Sequence, residues 1–154
     1  MTALNVRKVR ELFRARWRAA VPTAPPDERV QYENRRFDVP SPEAAGTEAL
    51  WLREWLTVHA SVRNATGSIQ HNGTYQLDVF FPANRGTEAI EDLAKLLLEA
   101  FEPALGLTDG ASTTLLVEEA VQSSITRGVG DLHQWAFLPV QFDWRSHTLT
   151  SNNS

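Results

Sequence analysis

The sequence predicts an α+β domain with two main helices among several strands, in the order α-β-β-β-α-β-β. Apolar residues recur at three- and four-residue steps in two segments, near 6–20 and 87–102, as an amphipathic helix requires. In several others they alternate with period two, as strands do. In "GTYQLDVFFPANRGTEAIEDLAKLLLEAF", Gly73 to Phe101, one pattern passes into the other through a single glycine-containing turn.

Composition bounds the answer. The chain has 154 residues, of which 42% are hydrophobic and 22% charged, enough for one domain over 1–147 with a polar, disordered tail over 148–154. No apolar run approaches the roughly 20 residues that cross a bilayer, and "MTALNVRKVRELF" mixes charge into what a secretory signal keeps apolar. A soluble protein made in a cytoplasm is the expectation. The absence of cysteine excludes disulfides and thiol nucleophiles. Residues 1–20 hold six Lys or Arg against one Glu, whereas the rest carries nine basic and eighteen acidic residues. An acidic body does not attract a polyanion over a broad surface.

The first helix follows from Val6, Val9, Phe13, Trp17 and Ala20, with Asn5 or Thr2 as cap. Arg10, Arg14 and Arg18 repeat every four residues, so their charges stack and repel until carboxylates relieve them. "VPTAPPDER" is an extended linker with three prolines, and "VQYEN" a short strand. After a loop over 38–48, "ALWLREWLTVHA" sets Leu50, Leu52, Leu56 and Val58 against Trp51, Arg53, Trp55, Thr57 and His59, with Glu54 interrupting the apolar parity. Trp51 and Trp55 among polar neighbours suit contact with another element or subunit. Residues 63–73 are expected as a long hairpin loop, followed by a strand that Pro82 ends.

The second helix buries Ile90, Leu93, Ala94, Leu97 and Phe101 and exposes Glu88, Glu91, Asp92, Glu99 and Glu102, with Lys95 opposite Glu91. That acidic side complements the arginine row, within a chain or between chains. In the last third, Leu115, Val117, Val121 and Ile125 share one parity, and Ala136, Leu138, Val140, Phe142 and Trp144 another. Pro139 inside the latter run implies an edge strand or a bulge.

Tests for chemistry return little. "PANRGTEA" has one glycine and no lysine, so it is no phosphate loop; a helix cap at Asn84 or Thr87 and a positive φ at Gly86 account for it. His59, His71, His133 and His147 lack metal-ligand spacing, and no serine sits in a nucleophile elbow. The expectation is a protein that is not an enzyme, with no catalytic residues, metal or cofactor.

The strand-turn-helix words "NGTYQLDVFFPANRGTEA", with Gly73, Tyr75, Gln76, Val79, Pro82 and Gly86 in place, resemble the tail terminator, or tail completion, proteins of long-tailed bacteriophages. The amphipathic first helix, the Pro-rich passage and "HQWAFLPVQFDW" support the resemblance over about residues 4–146. It implies a mostly antiparallel, mixed β-sheet with the two main helices packed on one face, and a homohexameric ring that caps the tail tube at its head-proximal end, stops its polymerisation and joins it to the head. Implied partners are further copies of the chain, the tail tube protein, a head-tail connector protein and DNA passing the lumen without specific binding, with no membrane. Candidate subunit-interface residues are Arg10, Arg14, Arg18, Trp51, Trp55, Glu88, Glu91, Asp92 and Glu99. Alternatives are another connector or minor tail ring and, in a different class, a small monomeric ligand-binding or enzymatic domain.

Overall fold

A computed structural model describes residues 4–59, 61–63, 68–102, 105–110 and 113–149. Helix α1 (Val6–Ala20) starts where the Asn5 side chain accepts from the Lys8 N–H at 3.2 Å, as the sequence predicts, and buries Val9, Phe13 and Trp17. Strands β1 (Val30–Gln31), β2 (Trp51–Val58), β3 (Val62–Arg63) and β4 (Ser68–Pro82) follow, then helix α2 (Glu88–Ala100) and strands β5 (Gly106–Thr108), β6 (Thr114–Gln122), β7 (Thr126–Arg127) and β8 (Trp135–Leu149). The class is α+β, and the short strands β3, β5 and β7 are additional to the predicted order.

The strands form one sheet in the order β1-β2-β4-β8-β6-β5, with β3 on β4 and β7 on β8. Only β1 and β2 run parallel among these pairs. Both helices cover one face: Phe13 stacks on Tyr75 at 4.3 Å, and Phe101, closing α2, packs against Phe13 and Phe142. Tyr75 and Phe142 are register partners, so these contacts share a side. The apolar side chains of this layer make up most of the core, which continues on the other face of the sheet at Trp51, Phe80 and Trp135; each buried Leu, Ile, Val or Phe contributes about 1.5–3 kcal/mol.

Several expectations are corrected. The loop placed at 63–73 is mostly strand, because β4 begins at Ser68 and pairs with both β3 and β8; residues 64–67 lie outside the described residues. "VQYEN" is strand only at Val30–Gln31, since Asn34 turns with φ 57°. Strand β8 extends to Leu149, so Thr148 and Leu149 belong to the sheet rather than to the tail; residues 150–154 lie outside the described residues. Pro139 stands in a central strand, not at an edge. Its carbonyl accepts from the Ser123 N–H at 3.0 Å, where β6 has ended at Gln122 and β7 begins at Thr126. The donor that proline lacks therefore faces a break in the neighbouring strand and leaves no ladder bond unmade.

The motif residues have structural reasons. Gly73 pairs with Trp144, and a Cβ there would lie 2.4 Å from the Trp144 ring and 2.3 Å from the Thr57 carbonyl oxygen. Gly86 has φ +83°, as the turn demands, and Thr87 stands at the N-cap of α2 without a side-chain capping bond. Arg85 of the same turn donates to the carbonyls of Pro42 (3.4 Å), Ala44 (2.6 Å) and Gly46 (3.1 Å) and so fastens the loop before β2.

Candidate functional site

The arginine row of α1 meets carboxylates of its own chain. Glu54 is 0% exposed beneath α1 because it occupies the core parity of β2. Arg14 grips it in two-pronged fashion, Nε to Oε2 at 2.7 Å and Nη2 to Oε1 at 2.5 Å, and Arg10 adds a bond at 3.3 Å. The Tyr75 hydroxyl donates to Oε2 and accepts from Trp17 Nε1 at 3.0 Å, so the knot ends inside the core. Burial, reinforced by the charge of Glu54, holds the Tyr75 phenol well above its ordinary range. The bond to Glu54 raises the Arg14 guanidinium against the opposing effect of burial.

Arg10 also reaches Glu33 at 3.2 Å, and the same Glu33 oxygen accepts from the Leu56 N–H at 2.6 Å. A carboxylate thereby occupies a backbone donor of β2 on the side away from β4, beyond the end of the two-residue β1. Arg18 donates to the Pro25 carbonyl and to Asp27 at 2.7 Å, clasping the proline linker. The Asp27 carboxyl is lowered chiefly by the Tyr32 hydroxyl, with help from Arg18, and the Tyr32 hydroxyl is raised by burial and then by Asp27.

The acidic side of α2 is not what the row meets within the chain. Arg16 donates to the Ala100 carbonyl at 2.8 Å, placing a cation at the α2 C-terminus, and Phe13 touches Phe101. Glu88, Glu91, Asp92 and Glu99 are exposed. Lys95 lies 3.9 Å from Glu99 rather than beside Glu91, both side chains being largely in water.

The two tryptophans of β2 part company. Trp51 is 0% exposed, stacked on Phe80 at 3.9 Å and edge-on to Trp135 at 5.7 Å, with Phe37 over it, so its contact is with other elements of this chain and it offers no surface to a neighbour. Trp55 is 41% exposed, with Nε1 bound to Asp78 Oδ2 at 3.0 Å. Arg53 shares that carboxylate oxygen at 3.0 Å, and Gln76 donates to the other at 2.7 Å. Gln141 extends the chain by donating to Gln76 at 2.7 Å. Tyr75, Val79 and Pro82, from the same motif, are buried.

Beside Trp55 at the β1/β2 edge lies a pocket of about 190 Å³ that includes Tyr32, Arg35 and Arg53. Sequence reasoning missed this pocket and Glu33; the signal for the knot was available, a carboxylate breaking an apolar parity in a chain with an arginine row. Among the described residues no group of three or more His, Asp or Glu could hold a metal ion. No helix among them is long and apolar enough to cross a membrane.

The family model for the phage tail terminator protein matches residues 8–144. The chain belongs to that family. A tail terminator is a structural virion protein and not an enzyme, so the chain has a structural role in a phage tail. One solved structure aligns over 97% of this terminator chain and 100% of its own length at 24% identity, with a TM-score of 0.67. A chain from the virion of a native gene transfer agent particle aligns over 91% of this one and 92% of its own, at 21% identity and a TM-score of 0.51. At these identities the likeness is one of fold. No curated protein matches the sequence.

Proposed function

We propose that this tail terminator chain closes the head-proximal end of the tail tube as a homohexameric ring, halts tube growth there and offers its far side to a head-tail connector. The observation that carries the reading is the family match over residues 8–144. A neighbour of the same fold is part of a gene transfer agent virion, which supports a place in a particle. The acidic charge of residues 21–154, nine basic against eighteen acidic, supports a lumen through which DNA passes without counterion-releasing contacts.

A ring joins two unlike patches of one subunit in a heterologous, closing contact. Glu88, Glu91, Asp92 and Glu99 supply an acidic patch exposed on α2. Of the basic candidates, Arg10 and Arg14 are committed to Glu54 and Arg18 to Asp27, which leaves only their outer edges for a neighbour. Trp55, half out of the sheet, remains an interface candidate.

The test is to let tube protein polymerise with and without the purified chain and to image the product. Discrete rings in the free protein, rings seated on one end of each tube, and tubes that stop lengthening are the expected result. A chain that stays monomeric at every concentration while tubes grow unchanged would falsify the reading.

A further inference from the structure

The two margins of the sheet are finished differently. At one of them β5 pairs with Thr114, Leu115 and Leu116 only, and beyond it β6 carries a bulge between Val117 and Glu119 and two exposed carboxylates, Glu118 and Glu119. Bulges and edge charges keep a bare strand from pairing with another chain. At the other margin β1 covers Leu52 and Arg53, and Asn34 then turns the backbone away. Among the described residues no strand lies beyond Trp55-Leu56-Thr57-Val58 on that side, and this stretch has no charge, no proline and an unbroken register on β4. Trp, Thr and Val are residues that favour strands, so such an edge invites a further strand.

Its backbone donors alternate in direction. The His59 N–H bonds inward to the Asn72 carbonyl at 2.8 Å, so those of Leu56 and Val58 face the open margin. The Leu56 donor is taken by Glu33 Oε1 at 2.6 Å, whereas that of Val58 has no acceptor among the described residues. Glu33 is itself held, because Arg10 of α1 donates to the same oxygen at 3.2 Å and is tied in turn to Glu54 at 3.3 Å. An incoming strand could offer Leu56 only a neutral carbonyl in place of this carboxylate, and a bond to an ionised acceptor is the stronger of the two. It would also strip Arg10 of a partner.

We infer that Glu33, positioned by Arg10, guards the β2 edge and prevents a strand of a second copy of this chain from adding at Leu56 and Val58. The excluded strand is the same edge of that copy, since an antiparallel strand pairs with itself about a two-fold axis and needs no second surface. Val58, 38% exposed, and Trp55 beside it would add apolar contact to such a pair. A two-fold contact makes a dimer and not a ring. The guard therefore acts on a contact other than the ring joint, and the inference does not depend on the ring reading.

Amide exchange followed by NMR and sedimentation velocity of the full chain test it, with circular dichroism confirming that each variant is folded. In Glu33→Ala the Leu56 amide should exchange about tenfold faster or more, and a dimer absent from the wild type should grow in with concentration. Glu33→Gln, which keeps an acceptor oxygen, should leave Leu56 protected and sediment as the wild type does. Adding Val58→Pro to Glu33→Ala removes a donor on the open side but none that bonds β4, and should abolish the extra dimer. A Glu33→Ala chain that associates no more than the wild type, or a dimer that survives Val58→Pro, would overturn the inference. So would a Leu56 amide that exchanges at the unprotected rate in the wild type, a measurement that stands even if Glu33→Ala does not fold.

Discussion

The two faces of the sheet are built on opposite terms. Beneath the helices, the layer around Phe13, Tyr75, Phe101 and Phe142 is closed, and the carboxylate buried there, Glu54, has both oxygens taken by arginines and a phenol. On the other face an aromatic cluster of Trp51, Phe80 and Trp135 fills one end, while the other end stays wet around Trp55, Gln76 and Gln141. Among the described residues each face carries one buried carboxylate, Glu54 or Asp78, that gathers an arginine and an aromatic N–H or O–H donor. The difference is what covers them. Glu54 serves the fold, since its partners come from a helix and a core strand, whereas Asp78 fixes side chains that face outward. A tail protein needs both, a rigid body and a prepared surface.

Removing each carboxylate separates these roles. Glu54→Ala leaves Arg14 and Arg10 half-buried beside a vacated site and strips the Tyr75 hydroxyl of its acceptor; the expected loss is about 3–5 kcal/mol, read from urea unfolding at pH 7. Asp78→Ala, with partners that water reaches, should lower stability by about 1–3 kcal/mol and, in addition, loosen Trp55, visible as a shift and broadening of its fluorescence. Equal losses at the two positions would erase the comparison. An effect of Glu54→Ala below 1 kcal/mol would show that the helix-side knot is ornamental.

The smallest effect sharpens the helix side further. The Tyr75 phenol ionises less readily in the fold than in the unfolded chain, so its stabilising share is complete below the ordinary value of 10.0 and is lost as pH rises toward and through the higher folded value. Tyr75→Phe should reduce stability by about 0.5–1.5 kcal/mol at pH 7. Between pH 9 and 11 the gap to wild type should narrow and then reverse, as urea midpoints measured along that range will show. A gap independent of pH would mean that Tyr75 ionises as freely folded as unfolded.

Local pattern determined much of this. Periodicity placed both helices and the long strands, because a side chain's direction repeats every 3.6 residues in one and every two in the other. Gly86 was legible as a positive-φ turn, since few other residues adopt it without strain. The interruption of β2 by Glu54 was visible too, as was the need of the arginine row for carboxylates. Which carboxylates answered that need was not legible, because nothing local connects position 54 or 33 to α1.

Only the tertiary structure decided that Trp51 is sealed under Phe37 and Trp135 while Trp55, on the same parity, is left half-exposed. It also decided that Pro139 sits harmlessly in a central strand, opposite a break between β6 and β7. The physical reason is the same in each case. Sequence sets which way a side chain points from its own backbone, but burial, pairing and open edges depend on what distant segments bring to that side, and those distances close only when the chain folds.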